Sequence, residues 1–417
     1  MGRYIVTGGR PLKGEIRIQG AKNSVLPILA ASVMNNGTVT IEDCPNIADV
    51  DITLQILRFL GCKVRREGNA VTIDASVISN CYIPQDLMKK MRSSVIFLGA
   101  ILARCGKAKC SYPGGCELGA RPINLHLKAF RQMGIDVRET HGYIVCKRKN
   151  FVPYKIQLDF PSVGATENIM LVAALSKGTT TIVNAAREPE IVDLQDFLNR
   201  MGGKIRGAGS SIITIEGVEK LHDTEKTVMP DRIVTATYLF APLITTGDIM
   251  LRNADVGHVE SVVSAAKEMG AEVEADGSTL HVISRERPLA IDNIQTMPYP
   301  GFPTDAQSQL MAVLAYAKGT SIVQERIFEN RFRVAAEFVK MGADISVNER
   351  VAVVRGTKTL QGASVTAPDL RGGAGLVLAA LGAQGVSEIE EIRHIERGYD
   401  GLDVQLRRLG ADITKTE

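Results

Sequence analysis

The chain has 417 residues, 45% hydrophobic, 23% charged and only 5% aromatic with no tryptophan, which at roughly 150 residues per domain predicts two or three domains with aliphatic cores. Its 49 basic and 46 acidic residues leave a net charge of +3, too balanced for a general nucleic-acid binder, which carries a basic stripe or face. No apolar run approaches the ~18 residues of a membrane span, and the N-terminus has no apolar core with a cleavage site, so neither nucleic acid nor membrane is an expected partner and the expected compartment is the cytoplasm.

The first element is a strand, Tyr4-Ile5-Val6-Thr7-Gly8. A pattern then begins that recurs to the end of the chain. An apolar helix (SVLPILAASVM) is followed by an alternating strand (GTVTIED), an amphipathic helix ending in Leu-Gly, and two further strands. The apolar helix returns as SSVIFLGAILA, ENIMLVAALS, VTATYLFAPLI, SQLMAVLAYA and AGLVLAALGA. The amphipathic helices end at Gly61, Gly134, Gly202, Gly270, Gly342 and Gly410, where a left-handed cap is favourable. The strands after these glycines read KVRRE, DVRET, KIRGA, EVEAD, DISVN and DIT.

Six units of about 70 residues follow, each expected to run helix, strand, helix, strand, strand. Helices apolar on most of their surface are usually buried, so three units are expected to wrap their strands around three inner helices. The sixth unit stops at Asp412-Ile413-Thr414 without its last strand, and residues 4–37 align without a gap against the stretch from Ala352 onward. The N-terminal strand is therefore expected to complete the last unit. One domain would be continuous, 22–229, and the other discontinuous, 1–21 plus 230–417, with a ligand cleft between them.

Unusual polar residues recur at two places in the unit. The N-terminus of the inner helix carries Lys22-Asn23, Arg92-Ser93, Ser162-Val163-Gly164, Asp231-Arg232, Thr304-Asp305 and Asp369 with Arg371. Free amide hydrogens and the helix dipole suit such positions to phosphate and carboxylate groups. The loop before the outer helix carries Asp49, Cys116 to Arg121, Glu188, His258, Arg331 and Arg397. A lone arginine is most simply a solvated surface residue, but Lys22, Arg92, Arg121, Arg331 and Arg397 at equivalent repeat positions point to a small ligand with several negative charges.

Cysteines occur at 44, 62, 81, 105, 110, 116 and 146. Their odd number and irregular spacing predict free thiols, and without a Cys-x-x-Cys pair Cys105, Cys110, Cys116 and His126 make a poor zinc set, so no metal is expected. Cys116 differs from the rest. It lies in the Gly- and Pro-rich segment Tyr112-Pro113-Gly114-Gly115-Cys116-Glu117-Leu118-Gly119-Ala120-Arg121-Pro122, beside an arginine that would stabilise its thiolate. The other six are expected in or beside strands as packing residues. Asp305, after Pro300-Gly301-Phe302-Pro303-Thr304, reads either as a helix N-cap or as a carboxylate able to accept a substrate proton.

The motifs Gln19-Gly20-Ala21-Lys22-Asn23, Pro113-Gly114-Gly115-Cys116, Gly119-Ala120-Arg121-Pro122, Ala185-Ala186-Arg187-Glu188-Pro189-Glu190, Pro230-Asp231-Arg232, Pro300-Gly301-Phe302-Pro303-Thr304-Asp305 and Glu329-Asn330-Arg331 span the chain. In these the sequence resembles the UDP-N-acetylglucosamine 1-carboxyvinyltransferases. The resemblance implies the two-domain inside-out α/β barrel shared with 5-enolpyruvylshikimate 3-phosphate synthase, three repeats per domain. It implies transfer of the enolpyruvyl group of phosphoenolpyruvate to the sugar 3′-hydroxyl of UDP-N-acetylglucosamine, in peptidoglycan precursor synthesis, by a monomer or weak homo-oligomer without cofactor.

By the same resemblance Lys22, Asn23, Arg92, Arg121, Arg331 and Arg397 would bind phosphoenolpyruvate. Arg92, Arg121, Pro122, Ile123, Asn124, Leu125, His126, Ser162, Val163, Gly164, Thr304, Asp305 and Ile327 would line the nucleotide-sugar site. Cys116 would be the acid and the thiol alkylated by fosfomycin, and Asp305 the base. Asn124 stands where the family often has Asp, and Phe160-Pro161 replaces a more usual basic or polar pair.

Overall fold

A computed structural model describes residues 2–112, 123–149 and 154–416. Those residues divide into two units, one built from 2–19 and 230–416 and the other from 20–229.

Each unit contains three four-stranded sheets. In the 20–229 unit one sheet runs Thr224–Thr227, Thr38–Glu42, Ala70–Asp74, Lys63–Glu67, the first pair parallel and the other two antiparallel. The other five sheets repeat that mixture. The repeat is thus strand, helix, strand, helix, strand, strand. It has one strand more than expected, placed before the inner helix. These extra strands, such as Tyr82–Ile83, Lys155–Gln157 and Ser364–Thr366, are short and lie at sheet edges. Two or three residues with one face in solvent show no readable alternation.

Each unit closes on itself. Thr224–Thr227 returns to the first sheet of its unit, and Lys13–Arg17 joins Asp248–Arg252 in parallel. The N-terminal strand Arg3–Thr7 lies between Val386–Glu390 and Asp412–Thr416, antiparallel to both, so it supplies the strand that the last repeat lacks.

The inner helix Phe97–Cys105 packs on both Lys22–Ala31 and Val163–Ala174 in one unit, and Arg232–Thr245, Gln307–Leu314 and Leu370–Gly382 pack on one another in the other. Being apolar on most of their surface, they fit this position. In Arg232–Thr245, every residue from Ile233 to Thr245 is buried. Fully burying one Leu, Ile or Val side chain contributes ~1.5–3 kcal/mol, and two separate aliphatic cores result.

The outer helices are amphipathic. Ala48–Leu60 buries Val50, Leu54 and Leu57 along one stripe. It ends at Gly61, φ 109°, with Gly61 N–H donating to Arg58 O and Cys62 N–H to Leu57 O. A Cβ at Gly61 would meet Ser79 Oγ at 2.7 Å, so the closing glycine also admits the next loop. The equivalent glycines at 134, 202, 270, 342 and 410 all have positive φ. No helix among the described residues is long and apolar enough to cross a membrane.

Candidate active site

In the 20–229 unit, Lys22 opens its helix and is buried, with Nζ 2.7 Å from Asp49 Oδ2. Asp49 is 1% exposed and sits inside the first turn of Ala48–Leu60, rather than in the loop before it. Two opposite charges out of water hold each other, and deleting one would take that opposing charge from the other. Asn23 follows, half-buried. Next in the chain, Ser24 Oγ donates to Asp193 Oδ2 at 2.5 Å, and Asp193 also takes Lys226 Nζ at 2.6 Å and the Met229 N–H.

The second cluster joins Arg92, His126 and the helix Val163–Ala174. Arg92, half-buried, begins a short 3-10 helix, Arg92–Ile96. Ile123 is the N-cap residue of Asn124–Gln132, Asn124 is exposed, Leu125 half-buried and His126 buried. Burial, helped by the positive charge of Arg92, pushes the His126 imidazole down to about 4, so it is neutral at physiological pH. Ser162 caps its helix through Oγ on the Ala165 N–H, followed by half-buried Val163 and Gly164. Gly164 packs on the His126 ring, since a Cβ there would lie 3.1 Å from Cε1.

In the other unit the buried Arg331 and Arg371 form a charge cluster around half-buried Asp305. Arg331, wholly buried, donates from Nη2 to Asp305 Oδ1 at 2.7 Å and from Nε to Thr304 Oγ1 at 3.1 Å, with Nη1 3.7 Å from Asp369 Oδ1. Arg371 donates from Nη2 to Asp305 Oδ2 at 3.2 Å. The expected N-cap role of Asp305 is not found. Pro303 and Ala306 hold the cap positions, without side-chain cap bonds, and both Asp305 oxygens face arginines. Asp369 is a true cap, accepting from the Arg371 and Gly372 N–H groups at 2.9 and 3.1 Å.

Behind this cluster, Thr304 Oγ1 donates to Glu325, whose other oxygen takes the N–H groups of Ile327 and Phe328. That contact sets the turn carrying half-buried Ile327. Arg371 also lies against Tyr399, whose hydroxyl contacts Thr237 Oγ1 at 2.7 Å and Gln309 Nε2 at 3.2 Å. Arg397, half-buried, ends the 3-10 helix Ile392–Arg397.

Cys116, Arg121 and Pro122 lie outside the described residues. Of the other cysteines, Cys44, Cys62, Cys110 and Cys146 are buried and Cys81 and Cys105 half-buried, and all six are unbridged. Cys105 ends an inner helix instead of flanking a strand. Burial pushes the thiols of Cys105, Cys110 and Cys146 up to about 12, which makes them poor nucleophiles. Three residues singled out only by the structure are Asn168, Glu325 and Tyr399. Asn168 had a signal in sequence, as a polar residue inside the apolar run ENIMLVAALS; the other two had none.

Basic side chains thus stand at helix starts in both units, and in one of them a carboxylate is held between two arginines. The fold is that of the enolpyruvyl transferases. The EPSP synthase (3-phosphoshikimate 1-carboxyvinyltransferase) family matches residues 6–414. The enolpyruvyl transferase NikO from Streptomyces tendae is similar at TM-score 0.90 and 27% identity, covering 100% of this chain and 99% of its own. An EPSP synthase from Acinetobacter baumannii shares the fold at TM-score 0.75 and 19% identity over 100% of both chains.

Sequence similarity narrows the class. UDP-N-acetylglucosamine 1-carboxyvinyltransferase 2 of Caldanaerobacter subterraneus subsp. tengcongensis is 51% identical over 100% of both chains, and UDP-N-acetylglucosamine 1-carboxyvinyltransferase of Geobacter metallireducens is 44% identical over 100% of both. The chain belongs to the UDP-N-acetylglucosamine 1-carboxyvinyltransferase family, and it is a transferase.

Proposed function

We propose that the chain transfers the enolpyruvyl group of phosphoenolpyruvate to the sugar 3′-hydroxyl of UDP-N-acetylglucosamine, releasing phosphate, in the cytoplasm and as a step of peptidoglycan precursor synthesis. The observation that carries the reading is the Asp305 carboxylate held by buried Arg331 and Arg371, in a chain 51% identical over its whole length to a relative of that name.

Cys116 donates a proton to the methylene carbon of phosphoenolpyruvate, which builds positive character at the adjacent carbon. The sugar hydroxyl adds there while Asp305 takes its proton. Loss of a proton from the new methyl group and of the phosphate then restores the double bond. Lys22, Asn23, Arg92, Arg121, Arg331 and Arg397 serve the carboxylate and phosphate charges, which are worth most where water is excluded. Ile123, Asn124, Leu125, His126, Pro122, Ser162, Val163, Gly164, Thr304 and Ile327 serve the nucleotide sugar, with Arg92 and Arg121 at its phosphates.

Phosphate release from phosphoenolpyruvate is measured with UDP-N-acetylglucosamine and, separately, with shikimate 3-phosphate. Release only with the nucleotide sugar is expected; release only with the shikimate compound, or none with either, overturns the reading. Cys116→Ser is expected to cut turnover and abolish covalent labelling by fosfomycin, and full activity in that variant would remove Cys116 as the acid.

A further inference from the structure

Asn168 lies on the inner helix Val163–Ala174, fully buried within an apolar run. Burying a side-chain amide is unfavourable unless both of its ends are satisfied. Both are. Oδ1 accepts from the Gly99 N–H at 2.8 Å, an approach that only glycine permits, because a Cβ at Gly99 would lie 2.5 Å from that oxygen. Nδ2 faces the Val95 and Gly164 carbonyls, each at 3.3 Å, and Nδ1 of His126 at 2.9 Å.

These contacts fix the protons. A backbone N–H can only donate, so the amide atom facing Gly99 is the oxygen and the atom facing His126 is the NH2 group. That group also only donates, so Nδ1 of His126 must accept, and the single proton of the neutral ring sits on Nε2. A ring protonated on Nδ1 would set N–H against N–H at 2.9 Å. Among the described residues no hydrogen bond is made at Nε2.

We propose that Asn168 is a positioning residue for the nucleotide sugar: it locks His126 as the Nε2–H tautomer, so that His126 offers the ligand an uncharged donor and selects an oxygen acceptor there. This rests on the reading that His126 lines the nucleotide-sugar site. Asn168 itself acts only through the imidazole. Burial supports the assignment, since it keeps the ring neutral well below physiological pH.

The test begins with the whole chain labelled with 15N-histidine at pH 7, its His126 signals identified by their absence in His126→Gln. The expected spectrum shows Nδ1 as the bare, pyridine-like nitrogen and Nε2 as the protonated one. The opposite pattern, or a doubly protonated ring, overturns the proposal without any further variant at Asn168. In Asn168→Asp one oxygen still accepts from Gly99, while the other faces Nδ1 and draws the proton there.

That variant is expected to move the tautomer and raise KM for UDP-N-acetylglucosamine about tenfold, the worth of one hydrogen bond, with KM for phosphoenolpyruvate unchanged. A moved tautomer with an unchanged nucleotide-sugar KM overturns the role toward the ligand. If His126→Gln also leaves that KM unchanged, the fault lies in placing His126 at the nucleotide sugar, not in the tautomer.

Discussion

Arg331, with no exposed surface, donates from Nη2 to Oδ1 of Asp305 at 2.7 Å, so this carboxylate is fixed in direction before any substrate arrives. The same guanidinium reaches Thr304 through Nε and pairs with Asp369 through Nη1. A planar fork holds its donors in fixed, spread directions, which the compact ammonium of a lysine does not reproduce. Arg331→Lys is therefore expected to lose most of the turnover despite keeping the charge. Arg331→Met, which takes one of two guanidinium groups away from the half-buried Asp305 carboxylate, is expected to cost about 3 kcal/mol of stability as well. Urea unfolding beside kcat checks both; a lysine variant with wild-type kcat would show that charge alone suffices.

The repeat, its capping glycines and the N-terminal strand that completes the last sheet were legible because each rests on local chemistry: apolar period, positive φ, alternation. Extra strands before the inner helices, such as Tyr82–Ile83 and Lys155–Gln157, were not, being too short to carry a pattern. At the site, residue types at the helix starts were legible and their pairings were not. Asp305 reads in sequence as an N-cap or as a proton-accepting carboxylate, but its environment comes from Arg331 and Arg371, 26 and 66 residues further along the chain. Asn168 shows the same limit. Its polarity is visible in an apolar run, while its partners Gly99 and His126 come from other elements.

Lys22 and Asp49 form a pair with almost no solvent. In Asp49→Asn the Lys22 ammonium keeps its burial and loses a full opposing charge, so stability is expected to fall by about 3 kcal/mol. Phosphoenolpyruvate, if it binds at Lys22, replaces that missing charge. The rise in Tm on adding it is then expected to be larger in Asp49→Asn than in the wild type. Equal rises would place the ligand away from Lys22.

Glu167 is buried on an inner helix, and burial, reinforced by the nearby Glu190 and Glu188, holds its carboxyl well above the usual range. For an acid raised in this way the contribution to stability is complete below its unfolded value and is lost as pH rises, because the unfolded chain releases the proton first. Glu167→Gln keeps the shape and removes the titration. The variant is expected to gain stability relative to the wild type as pH is raised from 5 to 8, seen as a growing difference in denaturant midpoint. A constant difference across that range would mean that Glu167 is charged in the folded protein.

His126 gives the opposite pH dependence. Its imidazole titrates near 6.5 when unfolded and is pushed down to about 4 when folded, by burial first and by Arg92 second. Between those values the unfolded chain holds a proton that the folded one does not, so acid favours unfolding. The stability is whole above pH 6.5 and declines as pH falls towards 4. At 1.36 kcal/mol per pKa unit, the loss from pH 7 to pH 4.5 is roughly 2.5 kcal/mol. Carboxylates titrate in the same range, so the quantity to measure is the wild-type loss minus that of His126→Gln, from urea midpoints at the two pH values. A difference near the calculated loss is expected. Parallel curves for the two proteins would mean that the ring accepts its proton in its buried place as readily as in the unfolded chain, and the burial given as support for the neutral ring would fall with them.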